Sequence, residues 1–235
     1  MRDDQTSLPT LCDAATPDDL HSVRQVLTSI DPSIVFPEGK VNCLIEEYRR
    51  YRELLGLSSI SSLGEIVGRH VYESVLAAVL AKKCLQGNSR EICDLGTGNG
   101  FPGLVIAAML PETSVTLVES STKRAAYLAT CIAAMQMQNV QVVNLHLTKP
   151  AKEISNRFDV ITHRAFSKIE RVTKLAEAIG RDDYSIIGFA SELATGSETE
   201  SALGSSGYII SDAIRFRTLS GGYSFVYAAC KLKLD

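Results

Sequence analysis

From residue 88 onward, short apolar runs alternate with stretches of helical period, and this alternation constrains the fold more than any other feature of the chain. "EICDL" (91–95) reads as a strand, and "LVIAAML" (104–110) as a helix that Pro111 ends. "SVTLVE" (114–119) is a second strand. "TKRAAYLATCIAAM" (122–135) is a helix, with Ala125, Leu128, Ala129 and Ile132 on one face and Thr122 as the N-cap. "VQVVNL", "FDVIT" and "YSIIGFA" are three more strands, with the helix "IERVTKLAEAI" before the last of them. "YIISDAIRF" and "YSFVYAACKL" then face each other across Ser220-Gly221-Gly222, a hairpin signal. Strands alternating with helices imply a doubly wound, mostly parallel α/β sheet, and the hairpin adds an antiparallel edge.

Upstream the pattern is helical. "VRQVLTSI" is short and amphipathic. "VNCLIEEYRRYRELLGL" places Val41, Leu44, Ile45, Tyr48, Tyr51, Leu54 and Leu55 on one face. "GEIVGRHVYESVLAAVLAKKCL" does the same with Ile66, Val67, Val71, Val75, Leu76, Val79 and Leu80, and Gly87 and Asn88 stop it. The expected division is a flexible tail over 1–19, a helical N-terminal extension over 20–87 and a catalytic domain over 88–235. The tail is polar and acidic, without the apolar core of a signal peptide, so a cytoplasmic location is expected. No apolar run approaches the ~20 residues of a membrane helix.

The six cysteines (Cys12, Cys43, Cys84, Cys93, Cys131 and Cys230) form no C-x-x-C pair and sit mostly in apolar runs, so they read as buried thiols rather than metal ligands. A net charge of −3 is not the global footprint of a strong nucleic-acid binder, although it leaves room for a local basic face.

The loop "CDLGTGNGFPG" (93–103) follows the first strand, where open α/β sheets bind ligands. Gly98-x-Gly100-x-x-Gly103 matches a dinucleotide fingerprint in form, so a nicotinamide oxidoreductase is one reading. Two residues argue for another ligand. Asp94 brings negative charge to the turn and suits a cationic guest such as the ammonium of S-adenosylmethionine. Pro102 removes one N–H that would hold a phosphate. Glu119, at the end of the second strand, can accept hydrogen bonds from both ribose hydroxyls of either cofactor.

"ICDLGTGNGFPGLVIA", "VTLVESSTKRAAYL", "FDVITHRAFSKI" and "GRHVYES" together resemble the RsmG (GidB) family, S-adenosylmethionine-dependent methyltransferases of guanine N7 in small-subunit ribosomal RNA. The resemblance covers about residues 45–195 and implies a class I methyltransferase, Rossmann-like sheet. It places Asp94, Gly96, Thr97, Gly98 and Gly100 at the methionine end of S-adenosylmethionine. It puts Glu119 and Ser120 at the ribose, and His146, Leu147 and Thr148 at the adenine. Pro102, Lys123, Arg124, Arg164 and Phe166 are implied on the substrate side, with Arg69 and His70 matching the family's Arg-His pair. The substrate half departs from the family at "GLSSI", "HLTK", "GFAS" and "GGYSF".

Guanine N7 carries a lone pair and no proton, so its methylation needs alignment rather than a base. Arg164 is the candidate donor to guanine O6. His163 is the candidate proton acceptor should the acceptor carry a proton. Lys168, Arg171 and Lys174 repeat at steps of three and could form a small RNA-facing strip or a solvated face. The expected partner is ribosomal RNA or the small ribosomal subunit. A small heteroaromatic methyl acceptor is the alternative, and the acidic pI and the altered substrate residues favour it.

Overall fold

The computed structural model describes residues 16–85, 90–146, 154–191 and 197–232. Three helices lead in: α1 (Leu20–Ile30), α2 (Glu38–Leu55) and the short α3 (Leu63–Ile66). A π-helical segment over Val67–Tyr72 then runs into α4 (Glu73–Cys84). Thereafter strands and helices alternate: β1 (Glu91–Leu95), α5 (Gly103–Met109), β2 (Ser114–Glu119), α6 (Thr122–Ala134), β3 (Val140–Asn144), β4 (Phe158–His163), α7 (Ile169–Ile179), β5 (Gly180–Ala190), α8 (Glu198–Ser205), β6 (Tyr208–Arg217) and β7 (Tyr223–Lys231).

The seven strands lie in the order β3-β2-β1-β4-β5-β7-β6. β1 to β5 are parallel, and β7 pairs antiparallel with both β5 and β6. The chain winds outward from β1 to β3 and returns on the other side of β1 as β4. The switch point, where a doubly wound sheet opens a crevice, therefore lies between the carboxyl ends of β1 and β4.

Side chains alternate across the sheet. Ile92, Val115, Leu117, Val160, Ile187, Val226 and Ala228 face one core with α1, α2, α4, α5 and α6; Cys93, Leu95, Val118, Ile161, Tyr227 and Ala229 face the other with α7 and α8. The first cluster runs from Val23 to Ala228 without a break, so the helices over 20–85 share the sheet's core instead of forming one of their own. No helix among the described residues is long and apolar enough to cross a membrane.

Several local expectations are corrected. Leu54 is 78% exposed, because it sits one helical step off the stripe that Val41, Leu44, Ile45 and Tyr48 bury. In α6 the buried residues are Ala125, Tyr127, Leu128 and Cys131, and Ala129 is exposed; the thiol of Cys131 packs as a small apolar group and pulls the stripe round. The N-cap of α6 is Ser121, whose hydroxyl accepts from the Arg124 N–H, while the Thr122 hydroxyl donates to Asn144. The helix expected as one piece over "GEIVGRHVYES" contains the π segment, a wider turn often found at functional sites.

Candidate active site

Two walls flank the crevice. The first is the glycine turn after β1. Gly96, Gly98 and Gly100 all have left-handed φ (67°, 55° and 90°), the region in which glycine is least strained. A carboxylate stands on each side of the turn. Asp94 is 1% exposed and accepts from the hydroxyls of Thr97 and Thr162 and from the Gly103 N–H at 3.1 Å. Burial pushes its carboxyl above the usual range, against these hydrogen bonds. Glu119, 4% exposed, accepts from the Gly98 N–H at 3.0 Å and the Ser121 N–H at 2.8 Å, tying the end of β2 to the turn.

The donors at the start of α5 are already spent. Pro102 is its N-cap and has no N–H, Gly103 donates to Asp94, and Leu104 donates to the Gly100 carbonyl. The turn thus presents no row of free N–H groups to a diphosphate, and Glu119 adds negative charge beside it. Over Gly98 there is open space, since an added Cβ would meet only the Gly96 carbonyl at 3.7 Å. This cradle fits a nucleoside with a cationic end better than a dinucleotide.

The second wall joins β4 to the π segment. The Arg164 guanidinium donates to the Arg69 carbonyl at 3.0 Å and to His70 Nδ1 at 2.9 Å, and pairs with Glu73 at 3.5 Å. A guanidinium can only donate, so Nδ1 accepts and the His70 proton sits on Nε2. Burial, then the charges of Arg164 and Arg69, hold His70 down at about 3, so the ring is neutral. Burial raises the Glu73 carboxyl, while Arg164 pulls it back. The His70 ring stacks on Phe101 (centroids 5.1 Å apart, 19°), and Tyr48 meets both rings edge-on. Through this stack the π segment grips the glycine turn.

Residues 40–192 match the family described as GidB, rRNA small subunit methyltransferase G. The chain belongs to this family. Among proteins named ribosomal RNA small subunit methyltransferase G, it is 36% identical to that of Erythrobacter litoralis over 147 residues, 61% of this chain and 66% of the relative. It is 31% identical to that of Nitrosomonas europaea, over 59% of this chain and 61% of the relative. The chain therefore spans under two thirds of the length of these two relatives. A longer alignment, 29% identical to the Leuconostoc citreum protein, covers 80% of this chain and 83% of that one. Among solved structures, a SAM dependent methyltransferase from Aquifex aeolicus superposes with a TM-score of 0.53 at 14% identity, over 72% of this chain and 93% of that one. Magnesium protoporphyrin IX methyltransferase from Synechocystis PCC 6803, solved with bound SAH, gives 0.53 at 14% over 82% and 100%. These two likenesses establish the fold.

In this GidB-family chain the expected site residues separate. Gly96, Gly98, Ser120 and Glu119 border the crevice, and Phe166 lies over Gly96, where an added Cβ would come within 2.2 Å of its ring. Lys123 is exposed and Arg124 half-buried in the first turn of α6, and His146 is exposed two residues beyond β3. Leu147 and Thr148 lie outside the described residues. Five expectations change. Asp94 is no acid at a pocket mouth: it is buried and fastens the turn to α5 and β4. Thr97 is buried with its hydroxyl on Asp94. Gly100 turns inward, where an added Cβ would strike Leu104 at 2.7 Å. Pro102 is buried as the cap of α5 and offers no surface to a substrate. His163 is 4% exposed and points to the α7 face, away from Thr162 and Asp94, with Nε2 2.8 Å from the point a Gly188 Cβ would take. Burial holds it at about 4. It is a neutral core residue beside Tyr227, placed away from the crevice.

Glu73 escaped the sequence reading. Its signal lay in "RHVYE", where it follows Arg69 by one helical turn and shares its face.

Proposed function

We propose that the chain is an S-adenosylmethionine-dependent methyltransferase acting on small-subunit ribosomal RNA, with guanine N7 as the methylated atom and the cytoplasm as its location. The observation that carries this reading is the family match across both walls of the crevice, laid over a turn whose anion-binding donors are already used. Gly96, Gly98, Glu119 and Ser120 would hold the cofactor, with His146 at the adenine side and Glu119 moving its acceptor oxygens to the ribose hydroxyls. S-adenosylmethionine supplies the methyl group. The chain supplies alignment and exclusion of water, worth roughly 7–11 kcal/mol of barrier in well-oriented systems.

Arg164 orients the acceptor. Its guanidinium is held by Glu73, the Arg69 carbonyl and neutral His70, so it needs no reorganisation when the base arrives. N7 has no proton to lose, which agrees with a site whose adjacent histidine, His70, is neutral and buried. Phe166 closes the cofactor end, and residues 20–85 wall the acceptor side.

The test is labelled-methyl transfer from S-adenosylmethionine to small ribosomal subunits lacking the modification. Transfer to RNA is expected, with Arg164→Ala keeping cofactor affinity and losing about a hundredfold in turnover. A cofactor-bound chain that labels no RNA would refute the ribosomal reading and favour a small heteroaromatic acceptor. Stabilisation by NAD alone would refute methyl transfer.

A further inference from the structure

Beside the Arg164 cluster, away from the glycine turn, a second cleft opens at the same end of the sheet. It has a volume of about 410 Å3. The π segment with Glu73 forms one wall and the β6–β7 turn the other, and Ser191 at the end of β5 lies between them. The two walls touch where Leu219 packs on Gly68, at 2.9 Å from the point an added Cβ would take. The size lies within the ~300–1,000 Å3 of small-molecule sites.

The charges in this cleft are not equivalent. Glu73 is committed to Arg164, and Glu65 to the Ser62 hydroxyl, which donates to it at 2.8 Å. The Arg69 guanidinium is exposed and makes no hydrogen bond or ion pair among the described residues, although its own carbonyl holds Arg164. The cleft therefore presents one exposed cation at its wall, beside the carboxylates of Glu65 and Glu73. Ser220, whose hydroxyl meets that of Thr218 at 3.0 Å, and Ser224 line the other wall. A guanidinium in a cleft that also holds serine hydroxyls suits a phosphate, and the volume suits one ribose and base.

We infer that this cleft receives the nucleotide next to the methylated base, with Arg69 contacting its phosphate. The inference rests on the ribosomal RNA reading above and adds to it a subsite that fixes the RNA strand on the far side of Arg164. Arg69 then acts twice. Its backbone positions Arg164, and its side chain anchors the strand that carries the base to Arg164.

The test uses the full chain and small ribosomal subunits lacking the modification, titrated at several salt concentrations. Arg69→Ala is expected to raise KM for RNA about tenfold and to lower the slope of log affinity against log salt by about 0.7, one single-strand phosphate contact. Arg69→Lys should recover most of the slope and part of the affinity. Leu219→Glu, on the opposite rim, places a negative charge where the strand enters and should also raise KM. Cofactor affinity, measured by calorimetry, should be the same in all four proteins. If the parent methylates RNA while Arg69→Ala and Leu219→Glu keep its KM and salt slope, the subsite is overturned and the functional reading stands. If the parent binds cofactor and methylates no RNA, the functional reading fails and the subsite with it.

Discussion

On the β1–β2 side of the crevice, most links are short in sequence, the Thr162 hydroxyl on Asp94 being a long-range exception. Asp94 reaches Thr97 and Gly103, and Glu119 reaches Gly98 and Ser121. On the β4–β5 side nothing is local: Arg164 of the loop after β4 is held by Arg69, His70 and Glu73, and the far wall comes from the β6–β7 turn. The first side is fixed by a strand and a turn closing on themselves. The second exists only once the π segment, β4 and the C-terminal hairpin have met. The first side therefore needs few residues, whereas the second depends on several distant ones.

Three substitutions or conditions test this contrast. The largest effect is expected at Gly98, where no protein atom stands in the way and a side chain would enter the cofactor's space. Gly98→Val should weaken S-adenosylmethionine binding more than about a hundredfold, or about 2.7 kcal/mol by calorimetry. Affinity within threefold of the parent would move the cofactor elsewhere. Next is Asp94→Asn. The amide replaces an acceptor that faces Thr97 and Gly103, so the variant should lose about 2–3 kcal/mol in urea unfolding. Native stability with lost cofactor affinity would return Asp94 to a direct role at the ligand.

The smallest effect reads buried histidines by pH. His70 (about 3) and His163 (about 4) lie below the unfolded value of about 6.5, so both are neutral when folded and bind protons on unfolding near pH 5. Stability should fall from pH 7 to pH 5, by on the order of 2 kcal/mol for each residue. The raised carboxyls of Asp94 and Glu73 work the other way as pH nears the usual carboxylate range. His163→Gln and His70→Gln should each flatten the slope. A parent whose melting temperature ignores pH over that range would show both rings to be less buried than described.

The same contrast explains what was legible in the sequence. Period and turn chemistry are local, so the strands, the helices and the glycine turn could be read directly. The face on which a side chain lands is set by partners distant in sequence. Asp94 read as an acid awaiting a cation because Thr162, its partner from β4, lies far along the chain. His163 read as a candidate base because its strand parity carries no label until β4 is paired with β1 and β5. The π segment was hidden for a similar reason. Its apolar residues keep a nearly helical period, and the widened turn, whose Arg69 carbonyl accepts from Arg164, shows only in the folded backbone.

The position of β7 bears on how the molecule is made. It is the last strand in chain order, yet it lies between β5 and β6 and pairs with both. While the polypeptide is being synthesised, β5 and β6 must each wait with an unzipped border, the kind of border that invites pairing with a neighbour. A molecule in which β7 is not yet placed is thus open to self-association along both borders.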